Sequence, residues 1–397
     1  MKMNLEIIWY RRLDSVILFI LISFFILSLV FIYSSQQTGQ YGTQNFAMKQ
    51  GINYMIGFLI LIFVAKLDID QIERIAWPSY IALFFIIVVL SYSPKSIAYP
   101  VLGAKRWFMI PYVGSIQPSE FFKIALILVV ARIISKHNTV YIFRTFRSDL
   151  LLIGKILLIS IPPSLFVYQQ PDTGMVLLYF IAIGSMLYLS GINKKILASF
   201  FITFSLFLGL LVYLYFLQPD VIYNQLIPLL KPHQQERIIG WLNPTGNYNQ
   251  AYQAKKSLLA VGSGGVFGKG LLEGKVYIPE KHTDFIFATI AEEGGFILAS
   301  IVVTLFFLLI YRIVISGYYS ETSFGTYICA GVAFSLTAQI FQNIGMVIGI
   351  MPVKGISLPF LTYGGSSLFS NMIIMGIILS IRKTFGLYMF SKKSECS

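Results

Sequence analysis

The chain is poor in most of the residues that soluble enzymes work with. Of its 397 residues only 12% are charged, and there are 2 cysteines and 3 histidines. Cys329 falls inside an apolar run and Cys396 is the penultimate residue, so no disulfide between them is expected. No metal-ligand spacing exists either, and redox chemistry drops out. A phosphate-binding loop is also missing. In GSGGVFGKG, a Walker A pattern ending at Gly268-Lys269 needs glycine at 263 and Ser or Thr at 270, where the chain has Ser263 and Gly270. A GxGxxG register fails at Phe267. No nucleotide is expected, and the cluster reads as a flexible turn. Acidic residues are scarce, 17 against 30 basic ones, for a net charge of +13. That excess would suit nucleic acid, but the basic residues sit between apolar spans and form no basic-aromatic platform, which excludes that partner.

What the chain has is apolar surface. It is 56% hydrophobic, with 34 Phe and 24 Tyr. This is the composition of an all-α integral membrane protein, read as a single polytopic domain over 1–397. Stretches close to the roughly 20 residues that cross a bilayer predict about ten transmembrane helices. They fall near 15–33, 51–66, 77–92, 119–135, 150–168, 174–191, 196–216, 285–315, 325–351 and 364–382. The first follows Arg11 and Arg12 and is followed by no A-x-A cleavage site, so it reads as an uncleaved anchor. With the N-terminus inside, the cytoplasmic segments hold about 16 basic residues against about 5 in the short outer loops. Both termini are therefore expected in the cytoplasm, with one long outer loop, 217–284, between helices 7 and 8. Near-helical alternation in VIYNQLIPLLKPHQQERIIGWLNP and AYQAKKSLLAVGSGG predicts short interfacial helices there, able to roof a cavity.

Against that background the ionisable residues inside or beside spans stand out, because an unpaired charge costs at least about 2.5 kcal/mol at the bilayer centre. Glu120 and Lys123 in QPSEFFK share a helix face at i, i+3, which suits an internal pair as well as a substrate role. The same motif reads as a helix start with Ser119 as its cap. Glu292 and Glu293 are adjacent and point about 100° apart, so at least one is structural. Asp284, two residues after His282, stands where water meets headgroup. It can cap the helix expected from Phe285 or accept a proton. Asp172 in QQPDTG reads first as a cap of the next helix. The segment MPVKGISLPFLTYGGSSLFSN loses helical periodicity at Pro352, Gly355, Pro359, Gly364 and Gly365. Irregular backbone at membrane depth survives only where protein or a wet cavity satisfies it, so this segment is expected to line a site. Lys354, Lys105 and Arg106 bring cations to the same outer face. They suit a phosphate-bearing lipid substrate, or they snorkel to headgroups.

GAKRWF with QPSEFFK, then QQPDTG, then GSGGVFGKG with PEKHTDFIFATIAEEGGF, then PVKGISLPFLTYGGSS, follow the order and spacing of one family. Over residues 100–382 the chain resembles the shape, elongation, division and sporulation family, the RodA and FtsW proteins of bacteria. The resemblance implies a peptidoglycan glycosyltransferase that polymerises lipid II at the outer face of the bacterial cytoplasmic membrane, among membrane lipids, with a class B penicillin-binding protein as transpeptidase partner. The family's essential aspartate falls on Asp284. In the matching motifs, substrate contacts are expected from Lys105, Arg106, Gln117, Ser119, Glu120 and Lys123, from Lys281, His282 and Thr283, and from Lys354, Ser366 and Ser367. Asp172, Glu292 and Glu293 are expected to support the site. GKG with PEKHTDFIF resembles the elongation branch, so a RodA-like role in cell elongation is expected, with a division-specific, FtsW-like role as the alternative because Lys354 in PVKG resembles the division branch. Lys256 in AYQAKKS stands where the family usually has Gln, and no role is carried to it.

The implied reaction needs a base for a sugar hydroxyl and cations for a departing lipid diphosphate. Asp284 is the expected base. The cations are Arg and Lys side chains or a divalent ion, Mg²⁺ or Mn²⁺. A flippase could use the same acids and cations, but transporters of that kind often show repeated halves with paired broken helices. This chain has one strongly broken segment and no internal repeat. A pure scaffold would need no acid at the mouth of a cavity.

Overall fold

The computed structural model describes residues 14–37, 44–94, 98, 105–110, 114–243 and 249–388. Arg11, Arg12 and Cys396 lie outside them. Ten helices of 17 residues or more correspond to the ten expected spans. They are α1 (Ser15–Gln36), α2 (Phe46–Lys66), α3 (Ile69–Tyr92), α4 (Pro118–Val140), α5 (Phe146–Gln169), α6 (Thr173–Leu189) and α7 (Lys194–Leu217), then α10 (Ile286–Tyr318), α11 (Ser323–Val347) and α12 (Gly365–Tyr388). Eight are long and apolar enough to cross a membrane. The other two are α6, at 17 residues, and α4, which carries Glu120, Lys123, Arg132 and Lys136. The long loop between α7 and α10 contains α8 (Pro232–Leu242) and α9 (Asn249–Gly264). A short antiparallel pair, β1 (Phe108–Ile110) and β2 (Gly114–Ile116), precedes α4, with Met109 opposite Ser115. Nothing in the sequence pattern announced it.

The bundle has an apolar core into which its polar spans turn their polar groups, and an apolar outside. α4, α11 and α12 are the most buried helices, whereas α7 has no buried residue. Lipid offers apolar side chains no reason to leave it, so helices associate through close packing and polar contacts. At the α2–α12 contact, a Cβ added to Gly376 would lie 2.7 Å from Val64 Cβ and 2.9 Å from the Leu61 carbonyl oxygen, a separation that only glycine permits. At the end of the bundle where α1 starts, Asp14 caps α1 through the Val16 N–H at 3.0 Å and pairs with Arg312 at 2.8 Å and Arg382 at 2.7 Å. One carboxylate thereby ties α1, α10 and α12 together.

Two irregular features shape the opposite end. First, α10 is interrupted at Gly295, whose φ of 67° and ψ of −168° break the helical ladder. The glycine cluster fills the break. Lys269 and Gly270 N–H groups donate to the carbonyls of Glu292 and Glu293 at 3.1 Å each, and the Phe296 and Ile297 N–H groups donate to Gly265 and Val266 at 2.9 and 3.2 Å. A Cβ on Gly295 would lie 2.2 Å from the Gly268 nitrogen, so the two backbones touch. The expected flexible turn is instead a plug in a membrane helix.

Second, the broken segment from Ile348 to Gly364 is held by amide side chains. Gln339 Nε2 donates to the Ser357 carbonyl (3.0 Å), Gln342 Nε2 to Pro352 (3.0 Å) and Asn343 Nδ2 to Ile356 (2.8 Å), all from α11. Gln50 of α2 takes the Gly364 N–H at 3.3 Å, and Ser28 of α1 donates to the Leu361 carbonyl at 3.0 Å. The requirement that irregular backbone be satisfied by protein is thus met residue by residue.

Candidate active site

Where the broken segment, the α5–α6 turn, the β-hairpin and the start of α10 converge, they enclose a cavity of about 470 Å³. Asp284 is half-buried in its wall. α10 begins at Ile286 with Phe285 in the capping position and no side chain capping it, so Asp284 is not an N-cap. Among the described residues no hydrogen bond or ion pair occupies its carboxylate. The Asp284 main-chain carbonyl accepts from Asn343 Nδ2 at 2.9 Å. Its Oδ2 would lie 3.2 Å from a Cβ on Gly355, so the carboxylate rests over a residue with no side chain. Burial, with the nearby Glu280 charge, pushes the Asp284 pKa up to about 6, while Arg237 and Arg106 pull it down. A carboxylate so placed is ionised near neutrality and a better base than an ordinary one.

Two arginines flank the cavity. Arg106 is anchored by its Nε to the Gln170 carbonyl at 3.1 Å and by a second N–H to Pro171, with its guanidinium 5.8 Å from the Trp107 ring centroid. Arg237 comes from α8 and lines the same cavity. Burial and the charge of Arg106 lower its pKa, but a guanidinium stays protonated in any protein. The interfacial helix thus delivers a cation into the site beneath it.

The opposite wall is a polar lattice. Asp172 caps α6 through the Met175 N–H at 3.3 Å and accepts from Gln117 Nε2 at 2.7 Å, combining capping with a place in the cavity wall. Ser366 Oγ accepts the Gln117 N–H at 3.0 Å and donates to the Ser115 carbonyl, joining β2 to α12. The Ser357 and Ser367 hydroxyls are 2.8 Å apart. His282 stacks on Phe46 with centroids 4.4 Å apart, and burial lowers its pKa, leaving it a neutral imidazole at pH 7. Thr283 Oγ1 donates to Glu280 Oε2 at 3.1 Å.

Of the residues singled out in the sequence, the structure gathers Asp284, Arg106, Gln117, Glu120, Asp172, His282, Thr283, Ser366 and Ser367 around the cavity. Five of the expected substrate contacts do not line it. Lys105 turns back to donate to the carbonyls of Ser91 and Ser93. Ser119 neither lines the cavity nor caps α4. Gln117 stands in the capping position, with Pro118 at the first helical residue, and the Ser119 carbonyl is taken by the Tyr179 hydroxyl at 2.7 Å. Lys123 is buried, paired with Glu120 at 3.2 Å and 3.3 Å from Gln339 Oε1. Lys281 is buried against Glu292 at 3.1 Å. Lys354 sits outside the lining, its pKa lowered by burial and by Arg237.

Glu292 and Glu293 form the knot behind the site. Glu292 accepts from Lys269 at 2.8 Å, Lys281 at 3.1 Å and the N–H groups of Lys275 and Val276 at 2.9 and 3.0 Å. Glu293 accepts from Ser34 Oγ at 2.5 Å and the Leu272 N–H at 3.3 Å. Their two directions, about 100° apart on the helix, serve two sets of partners, and both are structural. The sequence reading missed Arg237, Glu280, Gln253 and Ser357 in the cavity wall. The only signal for Arg237 was its place on the amphipathic run HQQERIIGW.

The fold and the cavity together define a class: a multi-pass helical membrane protein with a carboxylate–arginine site at one end of the bundle. Residues 14–385 match the model of the FtsW/RodA/SpoVE family, described as cell cycle protein, and the chain belongs to that family. It is 31% identical to the probable peptidoglycan glycosyltransferase FtsW of Geobacter sulfurreducens, covering 96% of this chain and 98% of that one. It is 32% identical to the peptidoglycan glycosyltransferase MrdB of Escherichia coli K12, covering 95% and 96%. Among solved structures, a chain of a peptidoglycan synthase complex matches with a TM-score of 0.74 at 22% identity, over 94% of this chain and 98% of that one. The Thermus thermophilus rod shape determining protein RodA matches with a TM-score of 0.64 at 23% identity, over 93% and 96%.

Proposed function

We propose that this protein is a peptidoglycan glycosyltransferase that polymerises lipid II at the outer face of the bacterial cytoplasmic membrane. The observation that carries the reading is the Asp284 carboxylate, with no hydrogen-bond or ion-pair partner among the described residues and a pKa raised to about 6, facing a cavity shared with two arginines. The relatives support it by name. FtsW and MrdB relatives match at 31% and 32%, so the conclusion is the reaction both branches share.

In this reading a sugar hydroxyl of the acceptor attacks the anomeric carbon of the donor. The new C–O bond forms as the bond to the lipid diphosphate breaks, and the electron pair leaves with the diphosphate. The hydroxyl proton passes to Asp284 as attack proceeds, worth about 10² to 10⁴ in rate. Arg106 and Arg237 receive the diphosphate charge, a task suited to the planar, two-pronged guanidinium. The leaving group is already good, so no second carboxylate need act as acid. Single displacement inverts the anomeric centre.

Among the described residues no group of three or more His, Cys, Asp or Glu could hold a metal ion. Mg²⁺ or Mn²⁺ is commonly bound by one or two carboxylates together with substrate phosphates, and Glu280, which lines the same cavity, would be the carboxylate to hold one while Asp284 serves as base. Such an ion would add Lewis-acid stabilisation of the leaving oxygen. A class B penicillin-binding protein is the partner we propose, supported by the likeness to a chain of a peptidoglycan synthase complex. The test is purified protein with lipid II in neutral detergent and no transmembrane gradient. Glycan strands are expected, and their absence from folded wild-type protein, alone and with the partner, would overturn the reading.

A further inference from the structure

Asn343 lies on α11, fully buried, and one nitrogen serves both walls of the cavity. Its Nδ2 donates to the Asp284 carbonyl at 2.9 Å and to the Ile356 carbonyl at 2.8 Å. The first bond fixes the residue that carries the carboxylate. The second fixes the strand of broken backbone next to Gly355, over which that carboxylate rests at 3.2 Å from the position of an added Cβ. Both amide hydrogens are used, while Asn343 Oδ1 is buried with no partner among the described residues. The reverse orientation would set an oxygen against two carbonyl oxygens, so the surroundings dictate which way the amide faces.

We propose that Asn343 is a positioning residue for the proposed transfer reaction, setting the separation between the Asp284 carboxylate and the Gly355 floor. The inference rests on the function proposed above. It goes beyond the neighbouring amides, because Gln339 and Gln342 hold the same irregular segment without touching Asp284.

That difference supplies the control. Gln342→Ala removes one clamp on the broken segment, at Pro352, and leaves the Asp284 carbonyl bonded. Asn343→Ala releases both walls. In purified folded protein, Asn343→Ala is expected to lower kcat at least tenfold with KM changed less than threefold, and to displace the acid limb of the pH–rate profile. Gln342→Ala is expected to lower thermal stability and keep the wild-type acid limb. Asn343→Ser, which retains a hydroxyl donor in a smaller side chain, is expected to recover part of kcat, and it takes the place of the alanine variant if that one fails to fold. The proposal is overturned if the folded Asn343 variant keeps the wild-type acid limb, or if its kinetics match those of Gln342→Ala. If wild-type protein makes no glycan, the function reading falls first, and the two failures are told apart.

Discussion

Helices α7 and α11 show how this protein inverts the usual relation between apolar sequence and buried position. The most apolar stretch of α7 has a mean hydropathy of 2.3 and none of it is buried, whereas that of α11 has 1.4 and 72% of it is buried. In water the hydrophobic effect would order them the other way. In a bilayer, apolar side chains are at home facing lipid, and polar groups must find partners inside. α11 is buried with Gln339, Gln342 and Asn343 turned to backbone that would otherwise lie unpaired. Of the two, the more apolar α7 therefore builds none of the cavity, and the less apolar α11 holds the broken backbone that lines it.

The comparison is sharpened most by removing the polar group that does chemistry. Asp284→Asn is expected to lower polymerisation from lipid II by about 10² to 10⁴ while folding normally. Its sign with pH is specific. The folded pKa of about 6 lies above the ordinary carboxylate value of 3.8, so ionising Asp284 costs the native state stability as pH rises between those values, and the full cost remains above 6. The Asn variant should therefore melt no lower than wild type at pH 7.5, with any advantage gone by pH 4. Wild-type turnover should fall as pH drops through about 6, and an acid limb near 4 would mean that Asp284 is not the titrating base.

Next in size is the pair inside α4. Lys123→Ala leaves Glu120 buried without its cation, a loss of about 3 to 5 kcal/mol, seen as a lower melting temperature in detergent together with lost activity. Full thermal stability with lost activity would make Lys123 a substrate ligand reaching the cavity by a movement. Arg237→Ala should cost about 10- to 100-fold in turnover or lipid II affinity, in line with about 1.5 to 3 kcal/mol for a hydrogen bond to a charged group. Arg237→Lys should restore only part, because lysine offers a point charge. Normal polymerisation by Arg237→Ala in a neutral micelle would move the diphosphate elsewhere. The smallest effect belongs to α7. Leu206, 69% exposed, can become Ala with a change within about 0.5 kcal/mol, and a larger loss would show that α7 is covered by something.

The ten helices were legible because bilayer thickness imposes one length on them, and hydropathy reads that length directly. The broken segment was legible through its prolines and glycines. Asp284 was legible as a carboxylate at an interface, though spacing alone left capping open until Phe285 was found in the capping position. The directions of long side chains were not legible. Lys281 stands next to His282 in sequence, yet one is buried against Glu292 and the other lines the cavity. Lys105 and Arg106 part in the same way. Arg237 was hidden because an amphipathic helix in a loop does not declare what lies beneath it. Neither could the glycine cluster show that its carbonyls and N–H groups had partners in a helix more than twenty residues later.

That plug has a consequence for motion. The amides of Lys269 and Gly270 are protected by α10, and those of Phe296 and Ile297 are protected by the plug, so neither set can open without the other. In hydrogen–deuterium exchange these four should behave as one cooperative unit, with a common opening free energy, although they belong to a loop and to a helix. The outer loop that carries Arg237 is therefore latched to the bundle downstream of that arginine by the same bonds that complete a membrane helix, and loosening the latch would free the roof of the cavity as a body.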